Sequence, residues 1–154
     1  MNGYISNDDI VAVLYDFAEL LEIDGADPFR VQAYRAAAAT VTNLPKQAAE
    51  IVGNDGDLTR LPNIGTEIAR NIVEIIRTGE MAELEELEHS MPVHLVELAR
   101  IPGLGAKRVK AIVKNIDVFS PGRIYQAACS GKLAEIPGIG EKTQASIKQH
   151  FAPN

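Results

Sequence analysis

Tryptophan is absent, and the 154 residues hold a single cysteine, Cys129. A disulfide framework and a cysteine-rich zinc site are thereby excluded. A reducing, cytoplasmic setting is the expectation, with Cys129 a small, partly buried side chain. Aromatic residues make up only 5% of the chain. No apolar run approaches the roughly 20 residues that a membrane-spanning helix needs. Met1 to Ile5 lack the basic and apolar regions of a secretory leader. His89, His94 and His150 are scattered, which favours surface or helix-end roles over a metal site. What is plentiful is alanine, which favours helix, within a hydrophobic fraction of 46%. That is enough for a packed core and argues against disorder.

Positive charge is scarce in the first part of the chain and concentrated in the last. Residues 1–57 hold 3 Lys/Arg against 10 Asp/Glu, and residues 58–97 hold 3 against 8. Residues 98–154 reverse the balance, with 9 against 3. The net charge of −6 therefore conceals a basic third able to attract an anion.

Apolar residues Ile10, Val13, Leu14, Phe17, Leu20 and Leu21 recur at helical spacing, with Asn7 or Asp8 as the expected cap. Asp27 and Pro28 suit the start of a second helix through "FRVQAYRAAAATVTNL". Pro45 is expected to end it and to start a short helix to about Val52. Further helices are predicted from Gly65 to Thr78, through the acidic "GEMAELEELEHS", from Pro92, to about Asn115, from Ser120-Pro121 to about Ser130, and at the end. No segment alternates as a half-buried strand would, so the expected fold is all-α. The expected division is a helical domain at 1–80, an acidic linker helix at 81–97 and a basic domain at 98–154.

Three stretches nearly coincide: "LPNIGTE" at 61–67, "IPGLGAK" at 101–107 and "IPGIGEK" at 136–142. Each joins two predicted helices. Glycine supplies the backbone freedom of a tight turn. The apolar residue between (Ile64, Leu104, Ile139) is placed to tuck between the helices. The second glycine (Gly65, Gly105, Gly140) leaves the next helix's first N–H groups bare. Unpaired N–H groups and the helix dipole make a seat for phosphate. Lys107 and Lys142 add a cation two residues on, whereas the first copy has Asn63 and Glu67. The predicted phosphate-binding residues are Gly103, Gly105, Lys107, Arg108, Lys110, Gly138, Gly140 and Lys142. Arg100, Lys114, Lys132 and Lys148 lie nearby. Such contacts hold the sugar-phosphate backbone without reading bases.

These turns resemble helix-hairpin-helix motifs of DNA repair proteins. The stretches "PFRVQAYRAAA", "LTRLPNIGTEIARNIVEIIRTG", "LVELARIPGLGAKRVKAIV" and "LAEIPGIGEKTQASI" together resemble the amino-terminal part of bacterial family-X DNA polymerases, relatives of DNA polymerase beta. The resemblance covers about residues 7–150. It implies a small lyase-type helical domain followed by a tandem of hairpins that grip DNA. It also implies a monovalent cation, K+ or Na+, at the carbonyls of Ala99, Ile101 and Leu104, and of Ala134, Ile136 and Ile139.

Two departures bear on activity. Lyase members of the family form a Schiff base through a lysine, which needs an amine able to lose its proton. The matching position is Asn71. A supporting lysine one turn earlier is matched by Glu67, which repels phosphate. Arg30 and Tyr34 match the family's 5′-phosphate pocket, and with Arg60 they are the expected remnant of it. The same stretch also fits a plain core helix with Val31, Tyr34 and Ala38 inward. The second departure is the polymerase palm, whose acidic residues hold two metal ions; the residues after the third hairpin supply none. The expectation is a non-enzymatic, sequence-independent DNA-binding protein of repair or end processing. The alternatives are a fragment of a polymerase/lyase enzyme, or an adaptor whose acidic half binds a protein partner.

Overall fold

The computed structural model describes residues 4–153. Residues 1–3, part of the stretch read above for a leader, lie outside that range, as does Asn154. Among the described residues nine α-helices follow one another: α1 (Asn7–Ile23), α2 (Pro28–Thr42), α3 (Ala48–Gly53), α4 (Thr66–Thr78), α5 (Ala82–Ser90), α6 (Val93–Ala99), α7 (Gly105–Asn115), α8 (Pro121–Cys129) and α9 (Glu141–Phe151). Short 3-10 turns at Leu58–Arg60 and Leu133–Glu135 precede the first and third hairpins. The described residues contain no strand, and the all-α expectation holds. No helix among them is long and apolar enough to cross a membrane. The chain divides into two compact units, Met1–Glu86 and Leu87–Asn154.

In the first unit α1 packs along α2, and α4 closes against α1 and α3. Ile10, Leu14, Phe17, Tyr34, Val41, Ile72 and Ile75 form the core, each at most 1% exposed. Full burial of such a side chain contributes about 1.5–3 kcal/mol. Asp27 caps α2 by accepting from the Phe29 N–H at 2.9 Å, and Pro28 opens the helix as expected.

The start of α1 differs from the expectation. Ser6 is the cap, in a reciprocal box with Asp9: the Asp9 N–H donates to Ser6 Oγ at 3.2 Å and the Ser6 N–H to Asp9 Oδ2 at 2.9 Å. Asn7 is instead buried, donating to the Lys46 carbonyl at 2.9 Å and accepting from the Ala48 N–H at 2.7 Å. That pairing delays α3, which begins at Ala48 after Gln47 rather than at Pro45. The first unit also extends beyond residue 80. Met81 is buried, and Glu74 on α4 accepts from the Ala82 N–H at 3.0 Å at the start of α5.

In the second unit α6 packs on α7, and α8 on α9. Its core is Leu98, Val109, Ile112, Ile124, Leu133 and Ile147, all fully buried. Ser120 caps α8 by accepting from the Arg123 N–H at 3.3 Å. Cys129, expected to be partly buried, is exposed beside Tyr125 at the end of α8.

Candidate nucleic-acid interface

The three hairpins share one backbone device. The residue after each proline lies in the left-handed region: Asn63 at φ 64°, Gly103 at φ 82° and Gly138 at φ 92°. Asparagine is the side chain that best tolerates that region after glycine. Exchange of glycine for Asn63 therefore preserves the turn. Ile64, Leu104 and Ile139 are buried at 4%, 2% and 3% exposure, as the turn pattern predicts. In each copy the apolar N–H closes the turn onto the carbonyl three residues back, Ile64 onto Leu61, Leu104 onto Ile101 and Ile139 onto Ile136.

The second glycines are not equivalent. Gly140 is extended, with φ −93° and ψ 179°, and it caps α9 with no side-chain hydrogen bond. A Cβ built there meets nothing within 4 Å. Neither sterics nor φ demands glycine at this position; what its absence of side chain provides is open access to the first amides of α9. Gly65 has the same geometry before α4. Gly105, in contrast, has φ 74° and already belongs to α7, so the second hairpin requires glycine for its backbone. No side chain caps α7 either. The amides at both helix starts thus lack a side-chain partner.

Lys107 and Lys142 are exposed at the openings of α7 and α9, and neither takes an ion pair among the described residues. The second unit as a whole holds nine Lys/Arg and five Asp/Glu, whereas the first holds six and sixteen. Arg108 is placed differently from its sequence-based role. Its Nη1 donates to the Gly103 carbonyl at 2.8 Å and its Nε to the Gly138 carbonyl at 3.0 Å. The guanidinium expected to face phosphate instead joins the second hairpin to the third. Gln144 on α9 braces the third hairpin by accepting from the Ala134 N–H at 2.9 Å. Among the carbonyls that the resemblance assigns to a monovalent cation, Ile101 and Ile136 each accept one turn hydrogen bond. One lone pair remains on each. An all-carbonyl donor set suits an alkali cation.

Arg30 and Tyr34, expected to belong to a 5′-phosphate pocket, are engaged by the protein's own carboxylates. Tyr34, 1% exposed, donates its hydroxyl to Glu67 Oε2 at 2.6 Å. Arg30 Nη2 pairs with Glu83 Oε2 at 2.7 Å and with Glu67 Oε2 at 3.3 Å. Its guanidinium lies 5.4 Å from the Phe17 ring and 5.8 Å from the Tyr34 ring. Asn71 Nδ2 donates to the Tyr34 hydroxyl at 2.8 Å and to Glu83 Oε1 at 3.1 Å. The hydrogen bond from Tyr34, opposed by some burial and helped by Arg30, holds the Glu67 carboxyl below its ordinary range. Burial and then the Glu67 bond push the Tyr34 hydroxyl up. Burial works against the Arg30 charge, yet the bonds to Glu83 and Glu67 raise its pKa. An open pocket of Arg30, Tyr34 and Arg60 is therefore not what the structure shows. Arg60 lies on the Leu58–Arg60 3-10 turn, near Asp57. Val31, Tyr34 and Ala38 do face the core. Arg35, also on α2, pairs with Glu19 at 2.6 Å and Glu22 at 2.8 Å.

Glu83 is the participant that sequence reasoning missed. It reaches the site from α5, and only its acidic neighbourhood was visible in advance.

Comparison with known proteins matches this arrangement of hairpins. A model described as a helix-hairpin-helix domain covers residues 5–81, and one described as a SAM-like helix-hairpin-helix tandem covers residues 95–152. The chain belongs to the helix-hairpin-helix domain family. Among its relatives is the DNA polymerase/3′-5′ exonuclease PolX of Bacillus subtilis, 31% identical over 92% of this chain. The expected resemblance to the helix-hairpin-helix region of family-X polymerases is borne out. This helix-hairpin-helix chain spans 24% of that relative's length. The Holliday junction branch migration complex subunit RuvA of Pseudomonas paraeruginosa is 29% identical over 56% of this chain and 43% of its own. The RuvA of Pseudomonas aeruginosa strain PAO1 matches to the same extent.

Proposed function

We propose that the protein binds DNA through its sugar-phosphate backbone, without sequence preference, using the second and third hairpins. The observation that carries this is the pair of helix starts at α7 and α9. Each lacks a side-chain cap, and each carries an exposed lysine, Lys107 or Lys142. Each start offers unpaired N–H groups and a positive dipole end, which together favour phosphate. The positive balance of the second unit adds long-range attraction. A K+ or Na+ ion at the carbonyls of Ala99, Ile101 and Leu104, and of Ala134, Ile136 and Ile139, would add a further charge beside each phosphate. Lys110 extends the basic surface along α7.

The role is DNA repair or end processing in the cytoplasm. Its support is what the relatives do, one a polymerase and exonuclease, the other a branch-migration subunit. No catalytic step is assigned. Asn71 has no titratable amine, and Arg30 is paired with Glu67 and Glu83. The acidic first unit is unsuited to DNA and is left to a protein partner with a basic surface.

The deciding experiment is a fluorescence-polarisation titration of gapped, nicked, single-stranded and duplex DNA at two salt concentrations. Binding that weakens steeply with salt and varies little with sequence is expected. Absence of binding at low salt overturns the reading.

A further inference from the structure

Arg108 is one turn into α7, and its two hydrogen bonds run to carbonyls of different hairpins. Gly103 and Gly138 occupy the same place in their turns, each just after the proline and each in the left-handed region. The guanidinium thus joins equivalent atoms of two equivalent motifs 35 residues apart in the chain. Arginine is suited to this task because its N–H donors form a rigid planar fork. Lysine offers one ammonium on a flexible stem and has no fixed pair of directions. The two bonds are charge-assisted and stronger than bonds between neutral groups. They use two of the five donors.

We propose that Arg108 is a positioning residue that sets the spacing between the two phosphate seats and so favours duplex over single-stranded DNA. The inference rests on the DNA-binding reading above. The physical reason is a difference in stiffness between the ligands. Phosphates on a duplex stand at fixed separations, so a protein whose two seats are already correctly spaced binds both without ordering itself first. The second contact is then effectively intramolecular, and its strength depends on how well the spacing matches. A single strand is flexible and can bring two phosphates to whatever spacing the seats offer. Release of the clasp therefore costs duplex affinity and leaves single-strand affinity nearly unchanged.

The test compares Arg108→Lys and Arg108→Gln with the unaltered chain. Duplex and single-stranded DNA are titrated at several salt concentrations, and amide hydrogen exchange is followed at Leu104 and Ile139 in the free proteins. The expected result is a loss of about tenfold in duplex affinity for Arg108→Lys, with less than about a twofold change for the single strand. Exchange at Leu104 and Ile139 should quicken in both variants, because the closing hydrogen bond of each turn is no longer braced. An unfolded fraction lowers both affinities together and leaves their ratio unmoved, so the ratio separates positioning from simple loss of fold. If Arg108 were itself a phosphate ligand, Arg108→Lys would retain affinity for both DNAs. Arg108→Gln would then lose both, with the salt slope falling by about 0.9 for the duplex; that pattern overturns the proposal. Unchanged exchange in Arg108→Lys also overturns it. Failure of the unaltered chain to bind either DNA sinks the underlying reading, while the exchange measurement still decides whether the clasp exists.

Discussion

Tyr34 and Glu67 meet through a 2.6 Å hydrogen bond, with the phenol as donor, between α2 and the first turn of α4. The contact gives the buried tyrosine hydroxyl an acceptor and favours the charged carboxylate. Tyr34→Phe should therefore destabilise the fold by about 1–2 kcal/mol, since Glu67 and Asn71 each lose a partner. Urea denaturation at neutral pH measures it. No change in midpoint would show that the bond contributes nothing.

The same pair predicts a pH dependence. The Glu67 carboxyl has a folded pKa below its unfolded one. Its contribution is complete above the ordinary glutamate range and is lost as pH falls through the lower folded value. Glu67 is 47% exposed as a side chain, so solvent screening keeps this contribution small. Glu67→Gln should flatten stability against pH below about pH 4.3, the ordinary glutamate value. A melting series from pH 7 to pH 3 is the measurement. An unchanged acid limb would count against the assignment.

Charge reversal at the hairpins should separate binding from folding. Lys107→Glu with Lys142→Glu is expected to abolish DNA binding at moderate salt, because carboxylates would then face the phosphates. The fold should survive, since an acidic residue in a first helical turn is favourable by about 0.3–1 kcal/mol. Circular dichroism checks the fold and polarisation the binding. Undiminished affinity would place the interface elsewhere.

Borohydride reduction in the presence of an abasic 5′-phosphate end should trap no covalent adduct. Asn71 is 5% exposed, and its amide is committed to Tyr34 and Glu83. A trapped band would reveal an amine nucleophile at another position.

Asn63 offers a test of the turn itself. At φ 64°, alanine should cost about 1–2 kcal/mol. Glycine at that position should be close to neutral. Thermal melts of the two variants give the comparison, and equal melting temperatures would deny the turn any role in stability.

Much of the fold was legible because its signals are local. Asp27-Pro28 and Ser120-Pro121 start helices where they stand, and the three turns announce themselves by repetition. The cap of α1 was missed although Ser6 and Asp9 are three apart, because Asn7 is an equally good cap in isolation. What removes Asn7 from that role is the Lys46 carbonyl and the Ala48 amide, about forty residues away. The site divides in the same manner. Lys107 and Lys142 could be read from their offset after the glycines. The task of Arg108 could not, because its partner is not written beside it: Gly138 lies 30 residues further along the chain. The pocket reading failed at Glu83 for the same reason. Arg30 and Tyr34 were recognisable individually, but Glu83, one of the two carboxylates paired with Arg30, comes from the stretch expected to be an acidic linker helix.

The closed ring of Arg30, Tyr34, Glu67, Asn71 and Glu83 makes these five positions interdependent. A lysine installed at 71 alone would place an ammonium in a hole built for an uncharged amide, and a lysine at 67 alone would set two cations against a single glutamate. Replacing any one member should therefore destabilise the first unit unless its partners change with it.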